Sequence, residues 1–140
     1  MAATIDKRPA SSKAVATQYG KTFLLETTVD FTNPDNQLAQ NETMALFDIA
    51  PGIVVNQAFL EVITPDGDIG DVDLGCSVDG STAAELLDGA TLVAEGYVGS
   101  TTYAPKIYNE ARQVVLTNNS PVALDEAVVR VIVLGMDMTV

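Results

Sequence analysis

This sequence predicts an all-β fold: an antiparallel β-sandwich, jelly-roll-like, with an extended N-terminal arm. Three observations point there. Runs rich in β-branched and aromatic residues recur along the chain, and several alternate apolar with polar side chains, the period of a half-buried strand. Turn residues punctuate these runs every 8–15 residues or so, roughly the spacing seen in sandwiches. Little of the chain carries a helical period, so two sheets must bury each other without a helix layer.

Residues 1–21 form the arm and residues 22–140 the domain. The arm holds Pro9, Ser11, Ser12 and Gly20 and shows no sustained period. Residues 22–31 open the domain, with Phe23, Leu25, Thr27, Val29 and Phe31 on one face and Leu24, Glu26, Thr28 and Asp30 on the other. Asn33, Pro34, Asp35 and Asn36 then turn the chain, because proline presets φ and Asn and Asp bond their own backbone. Residues 43–49 make a second strand, ended by Pro51 and Gly52. Residues 53–64 (IVVNQAFLEVIT) make a long third, closed by Pro65, Asp66 and Gly67.

Residues 71–79 alternate again. Val72, Leu74, Cys76 and Val78 point inward and Asp71, Asp73, Ser77 and Asp79 outward, which makes Cys76 a small buried apolar residue. Residues 81–88 (STAAELLD) suit a short helical turn, with Ser81 as N-cap and Gly89 just past its end. Residues 91–98 read as a strand, 99–109 as a long loop, and 111–117 as a strand stopped by Asn118, Asn119, Ser120 and Pro121. Residues 127–138 (AVVRVIVLGMDM) are the last and most apolar strand. Val129, Val131 and Val133 share one face; Val128, Ile132, Leu134, Met136 and Met138 share the other. A sandwich strand normally keeps one face wet, so two apolar faces call for a cover, either a neighbouring subunit or loops of the same chain. Val129, Val131 and Val133 are the candidate interface residues on this strand.

Apolar residues make up 47% of the 140 and charged residues 19%, a balance that argues against global disorder. No apolar run approaches the roughly 18 residues of a membrane helix. Residues 1–21 lack the apolar core of a signal peptide, so neither a membrane nor a secretory route is expected. Cys76 is the one cysteine, and no intrachain disulfide can form. The lack of histidine removes the commonest general base and metal ligand and excludes Ser-His-Asp and Cys-His catalysis within one chain.

The net charge of −12 is unevenly placed. Lys7, Arg8, Lys13 and Lys21 stand against Asp6 in residues 1–21, a net of +3. In residues 22–140, Lys106, Arg112 and Arg130 stand against 18 acids, a net of −15. Such a body repels nucleic-acid backbones. The basic arm suits an acidic protein surface, which makes Lys7, Arg8, Lys13 and Lys21 candidate interface residues; a solvated terminus accounts for the same charges.

The densest acidic stretch is PDGDIGDVD, with Asp66, Asp68, Asp71 and Asp73 as weak candidate Ca²⁺ ligands. It lacks the glycine and the closing glutamate of an EF-hand loop, and solvated turn carboxylates explain it as well. No metal or cofactor is expected. Nothing singles out a carboxylate pair for glycoside hydrolysis, and no glycine-rich phosphate cradle is present. Tyr97, Tyr103 and Tyr108 lie close in sequence and could make an adhesive loop, although ordinary loop packing needs the same residues. A carbohydrate- or receptor-binding β-sandwich module therefore stands as the alternative to a self-assembling structural protein. An enzyme is not expected.

The segments ALFDIAPGIVVNQAFLEVIT (45–64), DVDLGCSVDGSTAAELLDGATL (71–92) and VVRVIVLG (128–135) resemble those of the head decoration, or cement, proteins of tailed bacteriophages. The likeness covers about residues 41–135, and its motifs are patterns of structure. It implies a jelly-roll domain that clamps major capsid protein capsomers on the outer surface of a virion. It also implies self-association, as a homotrimer ahead of a dimer, and synthesis in the cytoplasm of a bacterial host. The family offers no catalytic residues to carry over.

Overall fold

The computed structural model describes residues 4–7, 21–99 and 106–138. Among the described residues there are ten strands, in chain order β1 (Ile5–Asp6), β2 (Lys21–Asp30), β3 (Thr43–Ile49), β4 (Ile53–Thr64), β5 (Val72–Ser77), β6 (Leu87–Ala90), β7 (Gly96–Gly99), β8 (Lys106–Ile107), β9 (Arg112–Asn118) and β10 (Val128–Asp137). One sheet has the order β1-β3-β9-β5-β6. The other has the order β2-β10-β4-β7, and β8 also pairs with β4.

The antiparallel pairs are nested: β2 with β10, β3 with β9, β4 with β7 and β8, and β5 with β6. A long hairpin closed at β5–β6 and rolled so that its paired strands alternate between two sheets produces this order, which is that of a jelly roll. β1 lies outside that scheme, as a short parallel strand on the edge of β3.

The inner faces meet in one core. Val29 and Phe31 enter it from the end of β2, Leu46 and Phe47 from β3, Leu60 from β4, and Val114 and Leu116 from β9. The alternation read from residues 22–31 holds, for Leu24, Glu26, Thr28 and Asp30 are all exposed. Pro34–Asn36 is a single 3-10 turn capped by the Asn33 side chain, which accepts the Asp35 amide at 3.0 Å.

Two local expectations are overturned. Residues 81–88 form no helical turn: residues 81–84 run without regular structure and Leu87–Ala90 is β6. The Leu86 amide donates to the Leu74 carbonyl at 3.0 Å, so the open edge of β5 captures backbone that local propensity would have coiled. The strand expected over residues 91–98 begins only at Gly96. Of the loop expected over 99–109, residues 100–105 lie outside the described residues, while Lys106–Ile107 pairs with β4.

The expected interface face of the last strand is corrected too. Val129, Val131 and Val133 are fully buried against this chain's own core. The face of β10 turned away from the core carries Val128, Arg130, Ile132, Leu134 and Met136 instead, as the two-residue period requires.

Candidate assembly surface

The outer face of the β2-β10-β4-β7 sheet is built in cross-strand rows. Thr28, Arg130, Glu61 and Tyr97 are register partners in the first row, and Glu26, Ile132, Phe59 and Gly99 in the second. Leu24, Leu134 and Gln57 form the third, and Thr22, Met136, Val54 and Ile107 the fourth. Apolar side chains therefore run through rows two to four. Leu24 is 55%, Tyr97 65% and Ile107 56% exposed, so the described residues leave them largely uncovered. An apolar stripe of this kind on a sheet face makes it the candidate interaction surface.

The first row is charged. Arg130 Nη2 lies 2.8 Å from Glu61 and Nη1 lies 3.4 Å from Glu26, and Nη2 donates to the Tyr97 hydroxyl at 3.4 Å. Burial works against the Arg130 charge, but Glu61 and then Glu26 outweigh it and hold its pKa above the usual arginine value. One guanidinium thus ties four neighbouring strands together. Such exposed pairs contribute little stability singly, but the network fixes the rotamers of Tyr97 and Arg130. The Tyr97 ring also meets Phe59 edge-on, with centroids 6.2 Å apart.

The opposite outer face is closed by the chain itself. Ala45, Val115 and Gly75 align across β3, β9 and β5, and all three are buried although they point away from the core. Residues 78–86 return across this face. Thr43 Oγ1 donates to the Gly80 carbonyl at 3.0 Å, and Ala83 packs so tightly on Gly75 that a Cβ there would collide with its backbone. Asp79 anchors the return by accepting the Ser81 amide at 3.0 Å and the Ser77 hydroxyl at 3.1 Å. The Ser81 hydroxyl, then the Ser81 amide, hold the Asp79 carboxyl well below the usual carboxylate range.

The four aspartates of PDGDIGDVD are not gathered into a cage. Asp66 is buried and accepts the amides of Asp125 and Glu126, at 3.3 and 3.1 Å, so it ties the turn after β4 to the approach to β10. Asp73, expected on a wet face, is buried; it accepts the Gly89 amide at 2.9 Å and the Asn119 side-chain amide. Asp68 and Asp71 are exposed. Among the described residues no group of three or more Cys, Asp or Glu side chains is placed to hold a metal ion. Val78, expected inside, is 52% exposed, because β5 ends at Ser77.

The tyrosines do not form one loop. Tyr97 stands on the open sheet face. Tyr108 is buried, with its ring 4.7 Å from the Arg112 guanidinium and its hydroxyl donating to Glu85 at 3.2 Å. Tyr103 lies outside the described residues, as do Arg8 and Lys13 and the side chain of Lys21. Lys7 is exposed beside β3, and its amide donates to the Ala45 carbonyl at 2.8 Å. The signal that identifies the open face in the sequence is the second apolar register of residues 127–138, the one carrying Ile132, Leu134 and Met136.

No family model and no curated protein matches the chain. Chains of three solved structures share its fold. One, from the capsid of Ralstonia phage GP4, is 17% identical with a TM-score of 0.68, over 91% of either chain. One from the acidic stable capsid of Helicobacter pylori bacteriophage KHP30 is 17% identical with a TM-score of 0.62, over 87% of this chain and 92% of that one. One from the Cyanophage Pam1 capsid asymmetric unit is 16% identical with a TM-score of 0.61, over 91% of this chain and 95% of that one. At these identities the likeness is one of fold.

Proposed function

We propose that this protein is a non-enzymatic structural component of a phage virion that decorates the outer surface of the capsid, binds major capsid protein capsomers, and does so as a homo-oligomer, with a trimer ahead of a dimer. The observation that carries this reading is the unequal finish of the two sheets. Among the described residues, segment 78–86 closes one outer face, and nothing covers the apolar rows of the other. The fold shared with chains of three phage capsid structures supports placing the partner of that open face in a capsid.

A decoration protein must add adhesion at many equivalent positions, and modest interfaces repeated over a shell sum to a large avidity. The acidic body, at −15 over residues 22–140, keeps unassembled copies soluble. In this reading the basic residues Lys7, Arg8, Lys13 and Lys21 face an acidic neighbour.

The test is cosedimentation of the purified protein with capsids assembled without it. The protein should pellet with the shells. The double substitution Leu24→Asp with Ile107→Asp should leave it in the supernatant. Removal of residues 1–20 should weaken binding at low salt more than at high salt. A folded protein that never pellets with the shells would end the proposal.

A further inference from the structure

The edge of β3 is an acceptor for an extended strand, and we propose that in the assembled protein this strand is residues 4–7 of a second copy of the chain. The proposal rests on the reading of the protein as a self-associating capsid component and names the contact that joins its copies.

The edge itself carries the first part of the argument. β3 would otherwise expose a row of unpaired backbone groups, a template for strand addition. Ile5 and Asp6 fill it in parallel, opposite Met44 and Ala45. At the ends of β1 the amides of Thr4 and Lys7 donate to the carbonyls of Thr43 and Ala45, at 3.0 and 2.8 Å. Ile5 is half-buried against the core. This is a docked peptide that stands apart from the nested hairpin pairs of the roll, so the domain keeps its topology whichever chain supplies it.

The connection carries the second part. Thirteen residues separate Lys7 from Lys21. Their contour reaches roughly 45 Å, whereas packed sheets lie about 10 Å apart and connections within a domain run to about 4–6 residues. A step between two packed sheets needs only part of that length, so residues 8–20 are long enough to reach a neighbouring copy. Charge is compatible with the crossing. Residues 8–20 carry Arg8 and Lys13 and no acid, and the body of any neighbouring copy carries a net of −15. Donation from each copy to the next closes into a ring if the rotation permits.

The experiment uses the purified full chain with Cys76→Ala. One variant carries Asp6→Cys and the other Ala45→Cys, two positions that are register partners and therefore within reach of a disulfide in the docked state. The two are unfolded together, refolded together and oxidised. The expected result is a band at twice the chain mass on a non-reducing gel, in at least tenfold excess over either variant oxidised alone. The chain bearing both cysteines should give linked multimers. If the doubly substituted chain links only within itself and the mixture gives no hetero-dimer band, exchange is overturned, whether or not the protein binds capsids. Deletion of residues 1–7 guards against misfolding of the cysteine variants. A chain that keeps its β-rich circular dichroism and falls to single-chain mass by light scattering supports the proposal, and one that keeps the parent's oligomeric mass overturns it.

Discussion

Asn118 shows how much of this fold hangs on a few buried polar side chains. Its side-chain amide donates to the carbonyls of Leu38 and Val122, at 3.0 and 2.9 Å, and its side-chain oxygen accepts the Ser120 amide at 3.0 Å. Asn118→Ala removes three hydrogen bonds; the Leu38 carbonyl keeps the Leu124 amide but the buried Ser120 amide loses its acceptor, so the change should cost about 2 kcal/mol, read as a lower urea midpoint at unchanged m-value. A loss under about 1 kcal/mol would mean that water replaces the side chain. Thr117 lies one residue away in the opposite situation, for its hydroxyl is buried with no partner among the described residues. Thr117→Val keeps the shape and removes the orphan, so it should raise stability by about 1 kcal/mol. Gly75 is a steric requirement. Gly75→Ala should lower stability by about 2 kcal/mol, while Gly67→Ala and Gly70→Ala, where an added Cβ meets nothing, should stay within about 0.5 kcal/mol.

The elements divide according to whether local chemistry or tertiary pairing decides them. β2, β3, β4, β9 and β10 were legible because alternation or β-branched runs coincide with strong turn signals at Asn33–Asn36, Pro51–Gly52 and Asn118–Pro121. β6 was not, because STAAELL carries a helix-compatible spacing and only the edge of β5 gives it a strand partner. Asp73 and Ser77 read as solvent-facing by the same logic that placed Val72 and Leu74 inside. No local pattern reveals that residues 78–86 will fold back over Ser77, or that Gly89 and Asn119 will close on Asp73. The open face was legible in part: two apolar registers on residues 127–138 called for a cover, yet nothing local said which register would face the core. The returning segment also carries a pH dependence. The Asp79 carboxyl titrates below its unfolded value of 3.8, so its anchoring is fully present above that value and is lost as pH falls through the lower folded-state value. Asp79→Asn should lower the urea midpoint at pH 7 and, by a matching amount, flatten its decline below about pH 4. An unchanged acid limb would assign the decline to other carboxylates.

At the scale of the molecule, folding and the proposed assembly fall to opposite faces of the same strand. On β10 the odd positions Val129, Val131 and Val133 are sealed in the core, and the even positions Ile132, Leu134 and Met136 belong to the outer apolar rows. A substitution on either register therefore has a separable consequence. Val131→Ala opens a cavity in the core and should cost about 2 kcal/mol of stability, with the surviving folded fraction binding its partner as the parent does. Tyr97→Ser with Leu24→Ser removes two exposed side chains and nothing from the core, so stability should stay within about 1 kcal/mol while attachment to capsids falls at least tenfold. Thermal melts and cosedimentation on the same two preparations distinguish the cases. If the face variant attached normally while the folded core variant did not, the contact would have to be sought away from the β2-β10-β4-β7 face.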